Sequence, residues 1–315
     1  MSGLMIMQRM AREVIPLGLG QGKARPRLKA VGIGGAGCNA IASCDFDAVA
    51  LCNNRDSFVS RPHHRKVVLS EESVRFVRSI SPGLLSAADS EAVRGMREAL
   101  GESDMLFLFT GLGGETGSHL TPGMAHFARR CSNLVVVSAA LPFSVEGTGR
   151  KETARKALPA VMEAAHGTIT YPNDGLLKLT PNLPLRQAFK VMDSIMMFPA
   201  TELAQVITRD DLTALREDLT KVHELRLGVG EGGGLNREEQ VVTDALTSPW
   251  FDQPLEKVAL AIVVVIGREV DQYTMSGVLD RLLYRIPNAR VRYGGRSDPN
   301  MGEGLRMMLL LGFAP

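Results

Sequence analysis

Three short apolar runs constrain the fold of this chain more than any other feature of its sequence. They are Leu28–Ile33, Met105–Thr110 and Leu134–Ala139, and none shows the polar alternation of a strand with one solvated face. Continuous apolar strands are typical of parallel sheets that are covered by helices on both faces. A helical stretch follows each run, so the first half of the chain is predicted to be a Rossmann-like parallel α/β domain.

The composition is that of a globular protein and excludes several functions. The formal net charge is +2 over 315 residues, with acids and bases interspersed, which gives no electrostatic footprint for nucleic acid or for a membrane surface. The four cysteines form no CxxC pair and lie apart from the histidines, so no metal site or disulfide framework is predicted and a reducing cytoplasm fits best. The longest apolar stretch, Val258–Ile266, is too short to cross a bilayer and predicts a buried strand.

Further elements are predicted around this strand. The glycine cluster Gly228–Gly234 indicates a turn, and the spacing of Asn236 to Glu239 predicts a capping box for the helix that follows. The helices predicted in this half are Arg237–Thr247 and Thr274–Arg285, and the further strands are Ala289–Tyr293 and Leu305–Phe313.

A glycine-rich turn follows the first apolar run and opens a helix. Such turns lie at the carboxyl edge of a parallel sheet, where backbone N–H groups can approach a phosphate. The turn also fits the GxGxxG spacing of dinucleotide-binding folds, but the next strand ends in Asn53-Asn54 instead of an acid that would hold an adenosine ribose. An NAD-dependent oxidoreductase is therefore a weakened alternative. The candidate binding residues of this first turn are Gly34, Gly35, Ala36, Gly37 and Asn39.

A second glycine-rich turn, 111–119, lies between the second apolar run and another helix. Two such turns at one sheet edge are unusual, which makes the second turn the stronger indication of a binding site. The candidate binding residues of this second turn are Gly113, Gly114, Glu115, Thr116, Gly117 and Ser118.

These turns and the residues that follow them resemble the tubulin/FtsZ family, and FtsZ more closely than tubulin. The segment 141–147 with Arg150 is similar to the family's PFxxEG motif, and 172–174 to its PND motif; Asp244–Pro249 extends the likeness toward the end of the chain. The resemblance implies a pocket for GTP or GDP. In that pocket Glu146 and Arg150 would lie at the ribose, Asn173 and Asp193 would read the guanine edge, and Phe189 would stack on the base.

The resemblance also divides the chain. It implies an N-terminal arm over 1–26, a nucleotide-binding domain over 27–181, a central helix over 182–208 and a smaller C-terminal α/β domain over 209–315. Because the sequence ends directly after its last predicted strand, recruitment through a C-terminal tail peptide is not expected.

Three departures from the family concern the triphosphate. Glu115 and His119 replace glycines of the second turn, and the carboxylate would repel phosphates unless a cation such as magnesium intervenes. The loop 83–88 has fewer glycines than the family's γ-phosphate loop. Ala214 and Arg216 stand where the resemblance places a catalytic Asn and Asp. The weak candidates that remain for a catalytic acid are Glu217 and Asp218.

The sequence therefore predicts a divergent FtsZ-like, guanine-nucleotide-binding cytoskeletal protein with weak or absent hydrolysis. It would form or regulate filaments in cell division or cell shape, in head-to-tail contact with itself or with another FtsZ-family filament. The alternative is an active GTPase that assembles into protofilaments of the FtsZ type. Neither nucleic acid nor direct membrane insertion is expected.

Overall fold

The computed structural model describes residues 14–18, 24–52, 65–80, 96–98 and 100–313. Asn53, Asn54, the loop 83–88 and most of the predicted N-terminal arm lie outside the described residues.

The strands are short in the first half of the chain and longer in the second. They are β1 (Val14–Pro16), β2 (Leu28–Ile33), β3 (Ala48–Cys52), β4 (Arg65–Val68), β5 (Met105–Gly111), β6 (Leu134–Leu141), β7 (Gly167–Pro172), β8 (Glu224–Gly232), β9 (Val258–Gly267), β10 (Arg290–Ser297) and β11 (Leu305–Phe313).

The α-helices alternate with these strands. They are α1 (Gly34–Ala40), α2 (Glu71–Ser79), α3 (Glu115–Cys131), α4 (Thr148–Ala164), α5 (Asp174–Leu179), α6 (Leu185–Val206), α7 (Asp211–Val222), α8 (Arg237–Leu246) and α9 (Gln272–Arg285). None of the described helices has the length and apolarity that a bilayer span requires.

The chain forms two compact units. The first comprises Pro26–Thr201 and Leu212–His223, and its strands lie in the order β7-β6-β5-β2-β3-β4, all parallel. The three apolar runs are β2, β5 and β6, and their side chains are buried in a core between the sheet and its helices. The predicted parallel α/β architecture is confirmed.

The second unit comprises Met1–Arg25, Glu202–Asp211 and Glu224–Pro315, and its strands lie in the order β1-β10-β9-β11-β8. Strand β11 runs antiparallel to both neighbours, whereas β10 is parallel to β9 and β1. The predicted buried strand in this half is β9, and α8, α9, β10 and β11 also fall where the sequence indicated them. The predicted domain boundaries themselves remain predictions.

Two details of the second unit differ from expectation. The glycine cluster that begins at Gly228 belongs to strand β8, where glycines at alternate positions face α8. A Cβ on Gly230 would lie 2.1 Å from the Val241 carbonyl oxygen, so α8 can pack this closely on β8 only because glycine has no side chain. The predicted capping box at Asn236 is absent, because that side chain makes no capping hydrogen bond.

Candidate nucleotide site

A cavity of about 220 Å³ opens in the first unit where β2, β5, β6 and β7 end. Segments far apart in the sequence meet there, because the carboxyl ends of parallel strands share one edge of a sheet. The predicted binding residues that line it are Gly34, Gly35, Ala36, Gly114, Glu115, Thr116, Gly117, Glu146, Arg150, Asn173, Phe189 and Asp193.

The remaining predicted residues support the turns and do not line the cavity. A Cβ on Gly37 would lie 2.0 Å from the Phe109 carbonyl oxygen, so this glycine lets α1 pack against β5. Gly113 has a φ of 98°, and its N–H donates to the Ser118 hydroxyl at 2.8 Å. Asn39 is half-buried, and its Oδ1 has no hydrogen-bond partner among the described residues.

The two glycine turns pack closely against each other beside the cavity. A Cβ on Gly111 would lie 2.7 Å from the Ala36 Cβ of the first turn, and within the second turn a Cβ on Gly117 would lie 2.2 Å from the Gly111 carbonyl oxygen. Helix α3 begins here, with Gly114 as its N-cap residue. Its first-turn N–H groups and the positive end of its dipole lie beside the cavity, which favours an anion.

Glu115 works against that preference. It is the first residue of α3, it lines the cavity, and its side chain is 78% exposed. Arg78, in the last turn of α2, places Nη2 at 3.6 Å from Glu115 Oε1. The chain itself therefore places a cation beside this carboxylate, and no pattern in the sequence had indicated Arg78.

Two polar lining residues, Asn173 and Asp193, are suited to a ligand with N–H donors. Asn173 is only 4% exposed, and its Oδ1 has no hydrogen-bond partner among the described residues. Burial raises the pKa of the Asp193 carboxyl to about 7. A ligand that carries N–H donors could donate hydrogen bonds to both the Asn173 Oδ1 and the Asp193 carboxylate. These bonds would be favourable, because a buried polar atom without a partner is costly.

Phe189 forms part of the cavity wall and is 39% exposed, so it is not simply a core residue of α6. Its ring meets buried Phe143 edge-on, with centroids 5.3 Å apart and planes at 82°. Met192 and Met196 follow on the same helical face and also line the cavity. Their 3.6-residue spacing indicates only that they face the interior, so sequence reasoning did not identify them as lining residues.

Glu146 is held by its own loop. Its Oε1 accepts from the Phe143 N–H at 2.7 Å, and its Oε2 accepts from Arg150 Nη1 at 2.6 Å. A carboxylate has about four lone-pair positions, so two hydrogen bonds leave room for ribose hydroxyls.

A second contact fastens this loop to the end of β7. The Ser144 N–H donates to Asp174 Oδ1 at 2.8 Å, and its hydroxyl donates to Asp174 Oδ2. Lys151 lies beside both, with Nζ at 3.5 Å from Asp174 Oδ2. These contacts lower the pKa of Asp174 despite its partial burial.

The candidate catalytic acids lie on or near α7, away from the residues that line the cavity. The Asp218 side chain is only 2% exposed, so it is poorly placed to contact a ligand at the protein surface. Asp211 Oδ2 accepts from the Thr208 N–H and hydroxyl and thereby caps the chain before the helix. Glu217 is exposed and stays a candidate.

The parallel sheet with glycine turns at its strand ends makes this a Rossmann-like α/β protein. Residues 82–181 match the Tubulin/FtsZ family, GTPase domain. Cell division protein FtsZ 1 of Halobacterium salinarum is 30% identical over 295 residues, which cover 89% of this chain and 74% of that protein. The chain belongs to the tubulin/FtsZ family, as a divergent FtsZ-like protein.

Solved structures agree with the fold. An FtsZ dimer from M. jannaschii, described as empty, superimposes with a TM-score of 0.79 at 24% identity and covers 99% of this chain and 92% of its own. GDP-bound monomeric CetZ1 from Haloferax volcanii gives a TM-score of 0.75 at 17% identity, with coverage of 92% and 94%.

Proposed function

We propose that the protein binds GTP or GDP in the cavity of its first unit and acts as an FtsZ-like cytoskeletal protein with weak or absent hydrolysis. The observation that carries this proposal is that Asn173 and Asp193 line the same cavity as the two glycine turns. Asn173 and Asp193 suit a polar base, and the glycine turns suit a phosphate chain.

Asn173 and Asp193 favour guanine over adenine on chemical grounds. Guanine presents two N–H donors, at N1 and at its 2-amino group, to a carboxylate such as that of Asp193. Adenine presents a lone pair at N1 and no 2-amino group, so the same carboxylate would face an acceptor. The buried Asn173 Oδ1 would likewise need a donor from the ligand.

The glycine turns fit a phosphate chain, and the GDP-bound state of the structural relative CetZ1 supports a guanine nucleotide. Glu115, which lines the cavity at the second glycine turn, would be available to a nucleotide-bound magnesium ion, which commonly takes one carboxylate and phosphate oxygens. The bound nucleotide would supply the phosphoryl group; the chain's own groups described so far bind and orient it.

Self-association is supported by the dimeric state of the FtsZ relative. Contact between two unlike surfaces of one chain produces an open filament because the interface is heterologous. A role in cell division or cell shape would follow from such a filament.

Slow hydrolysis is proposed because Ala214 and Arg216 cannot polarise an attacking water as carboxylates do. The exposure of Glu217 favours a second candidate, an active GTPase in which this acid serves in assembled chains. The test is phosphate release from GTP by concentrated protein, alongside electron microscopy with GTP, GDP and ATP.

GTP-dependent filaments with little phosphate release would support the first proposal. Rapid release that is lost in Glu217→Ala and retained in the neighbouring Thr213→Ala would establish the second. Equal behaviour with GTP and ATP would refute guanine recognition.

A further inference from the structure

We propose that Arg78 is the counter-ion that lets a nucleoside triphosphate bind beside Glu115, and that its guanidinium moves from the Glu115 carboxylate to the terminal phosphate. The inference rests on the proposed function, because it requires a guanine nucleotide in the cavity. It makes Arg78 the residue that determines the preference for a triphosphate over a diphosphate.

The need for such a residue arises from Glu115. Its carboxylate lies at the first turn of α3, where backbone N–H groups would otherwise receive phosphate oxygens. Like charges a few ångströms apart repel each other, so this carboxylate disfavours a phosphate beside it. A triphosphate, which carries more charge than a diphosphate, would suffer most.

The packing of α2 on α3 brings Arg78 to this point. Val77 is fully buried, and a Cβ on Gly123 would lie 1.9 Å from the Val77 carbonyl oxygen. The backbones of the two helices therefore touch, and neither can shift without losing this contact. Arg78 is the next residue along α2, so the glycine fixes the base of its side chain relative to Glu115.

The ion pair is loose enough to be exchanged. The Nη2 to Oε1 distance of 3.6 Å exceeds that of a charge-assisted hydrogen bond, which is about 2.7–2.9 Å. The Arg78 side chain is 46% exposed, and exposed ion pairs of this kind contribute little to stability. The terminal phosphate of a triphosphate carries more negative charge than a carboxylate and can also accept two parallel N–H donors from one guanidinium, so it is the stronger partner.

A simpler role for Arg78 is to complement the negative end of the α2 dipole. That role predicts a change in helix stability but none in the choice between nucleotides. Arg75, also on α2, is exposed and directs Nε to the Glu71 carbonyl oxygen, which makes it a matched control for charge and helix position.

The test is calorimetric titration of the wild type with GTPγS and with GDP at low salt, repeated for Arg78→Ala, Arg75→Ala, Glu115→Gln and the double variant R78A/E115Q. We expect R78A to lower the affinity for GTPγS about tenfold and the affinity for GDP by less than about threefold, because only the triphosphate would lose its ion pair with Arg78. The double variant should recover most of the GTPγS affinity, and R75A should remain within about twofold of the wild type in both titrations. Circular dichroism establishes that each variant is folded.

Several results would overturn the inference. GTPγS affinity within twofold of wild type in R78A, an equal loss for both nucleotides, or no recovery in the double variant would each refute it while leaving guanine binding intact. If R78A failed to fold, an unchanged GTPγS-to-GDP ratio in E115Q would refute it instead. A wild-type protein that bound neither nucleotide would refute the proposed function as well.

Discussion

Asp174 accepts hydrogen bonds from both the backbone N–H and the hydroxyl of Ser144. This pair joins the loop that carries Glu146 to the strand end that carries Asn173. In the proposed site these two residues meet opposite parts of one nucleoside, so their relative position decides whether both can bind at once.

We therefore expect Asp174→Ala to weaken GDP binding about tenfold, because two hydrogen bonds to a carboxylate are lost and the loop is released. Calorimetry measures the change. Glu152→Gln is the control, since Glu152 lies on α4 and pairs with Arg155 at the surface. Equal affinities in Asp174→Ala and the control would contradict a positioning role for Asp174.

Nucleotide binding should depend on pH through Asp193. Its carboxyl has a pKa of about 7 because of burial, and N–H donors from guanine would lower that pKa by favouring the ionised form. Below pH 7 the nucleotide must therefore displace a proton, so the affinity for GDP should fall up to about tenfold per pH unit between pH 7 and pH 5. A Kd for GDP that is constant over this range would argue against Asp193 as the guanine contact.

The same residue should limit stability in the unliganded protein. The folded-state pKa of Asp193 is raised above the unfolded value. The contribution of this residue to the free energy of unfolding is therefore fully present below the unfolded pKa near 4 and is lost as the pH rises through 7. Asp193→Asn removes this penalty and should raise the free energy of unfolding at pH 8 by about 1–2 kcal/mol, with no gain at pH 4. Urea titrations at the two pH values measure it, and an equal change at both would show that burial of the charge is not the cause.

Alternate glycines in β8 should be intolerant of side chains. In Gly230→Ala the new Cβ would lie 2.1 Å from the Val241 carbonyl oxygen, so α8 must move away from the strand. We expect a loss of about 2–3 kcal/mol in the free energy of unfolding. Gly233→Ala is the control, because a Cβ there meets no described atom within 4 Å. Similar losses in both variants would refute this account of the strand.

Much of the fold could be predicted because buried strands have a recognisable pattern in the local sequence. Strands β2, β5 and β6 are apolar throughout, and glycine marks the turns after them. Strand β8 was not predicted, because its glycines were interpreted as a turn. In the structure these glycines allow close contact with helix α8. The predicted cap at Asn236 failed for a similar reason, since residue spacing does not determine the direction of a side chain.

The residues of the candidate site could be predicted where they belong to a motif of the tubulin/FtsZ family. Residues that reach the site only through tertiary packing could not be predicted. Asn173, Phe189 and Asp193 were predicted from the family resemblance, and all three line the cavity. Arg78 was not, because the contact of Gly123 with Val77 that brings it near Glu115 leaves no pattern in either segment. The burial of Asp218 was likewise hidden among the exposed charges of α7.

The central claim is that turns distant in the sequence form one guanosine-shaped cleft, with Asp193 reading the base. The most direct test is a calorimetric titration of the wild type and of Asp193→Asn with GDP and with xanthosine diphosphate, in which a carbonyl replaces the 2-amino group. The account predicts that the wild type binds GDP and that the variant, whose amide can donate to that carbonyl, prefers xanthosine diphosphate. An unchanged preference for GDP in the variant, or no binding of GDP by the wild type, would contradict it.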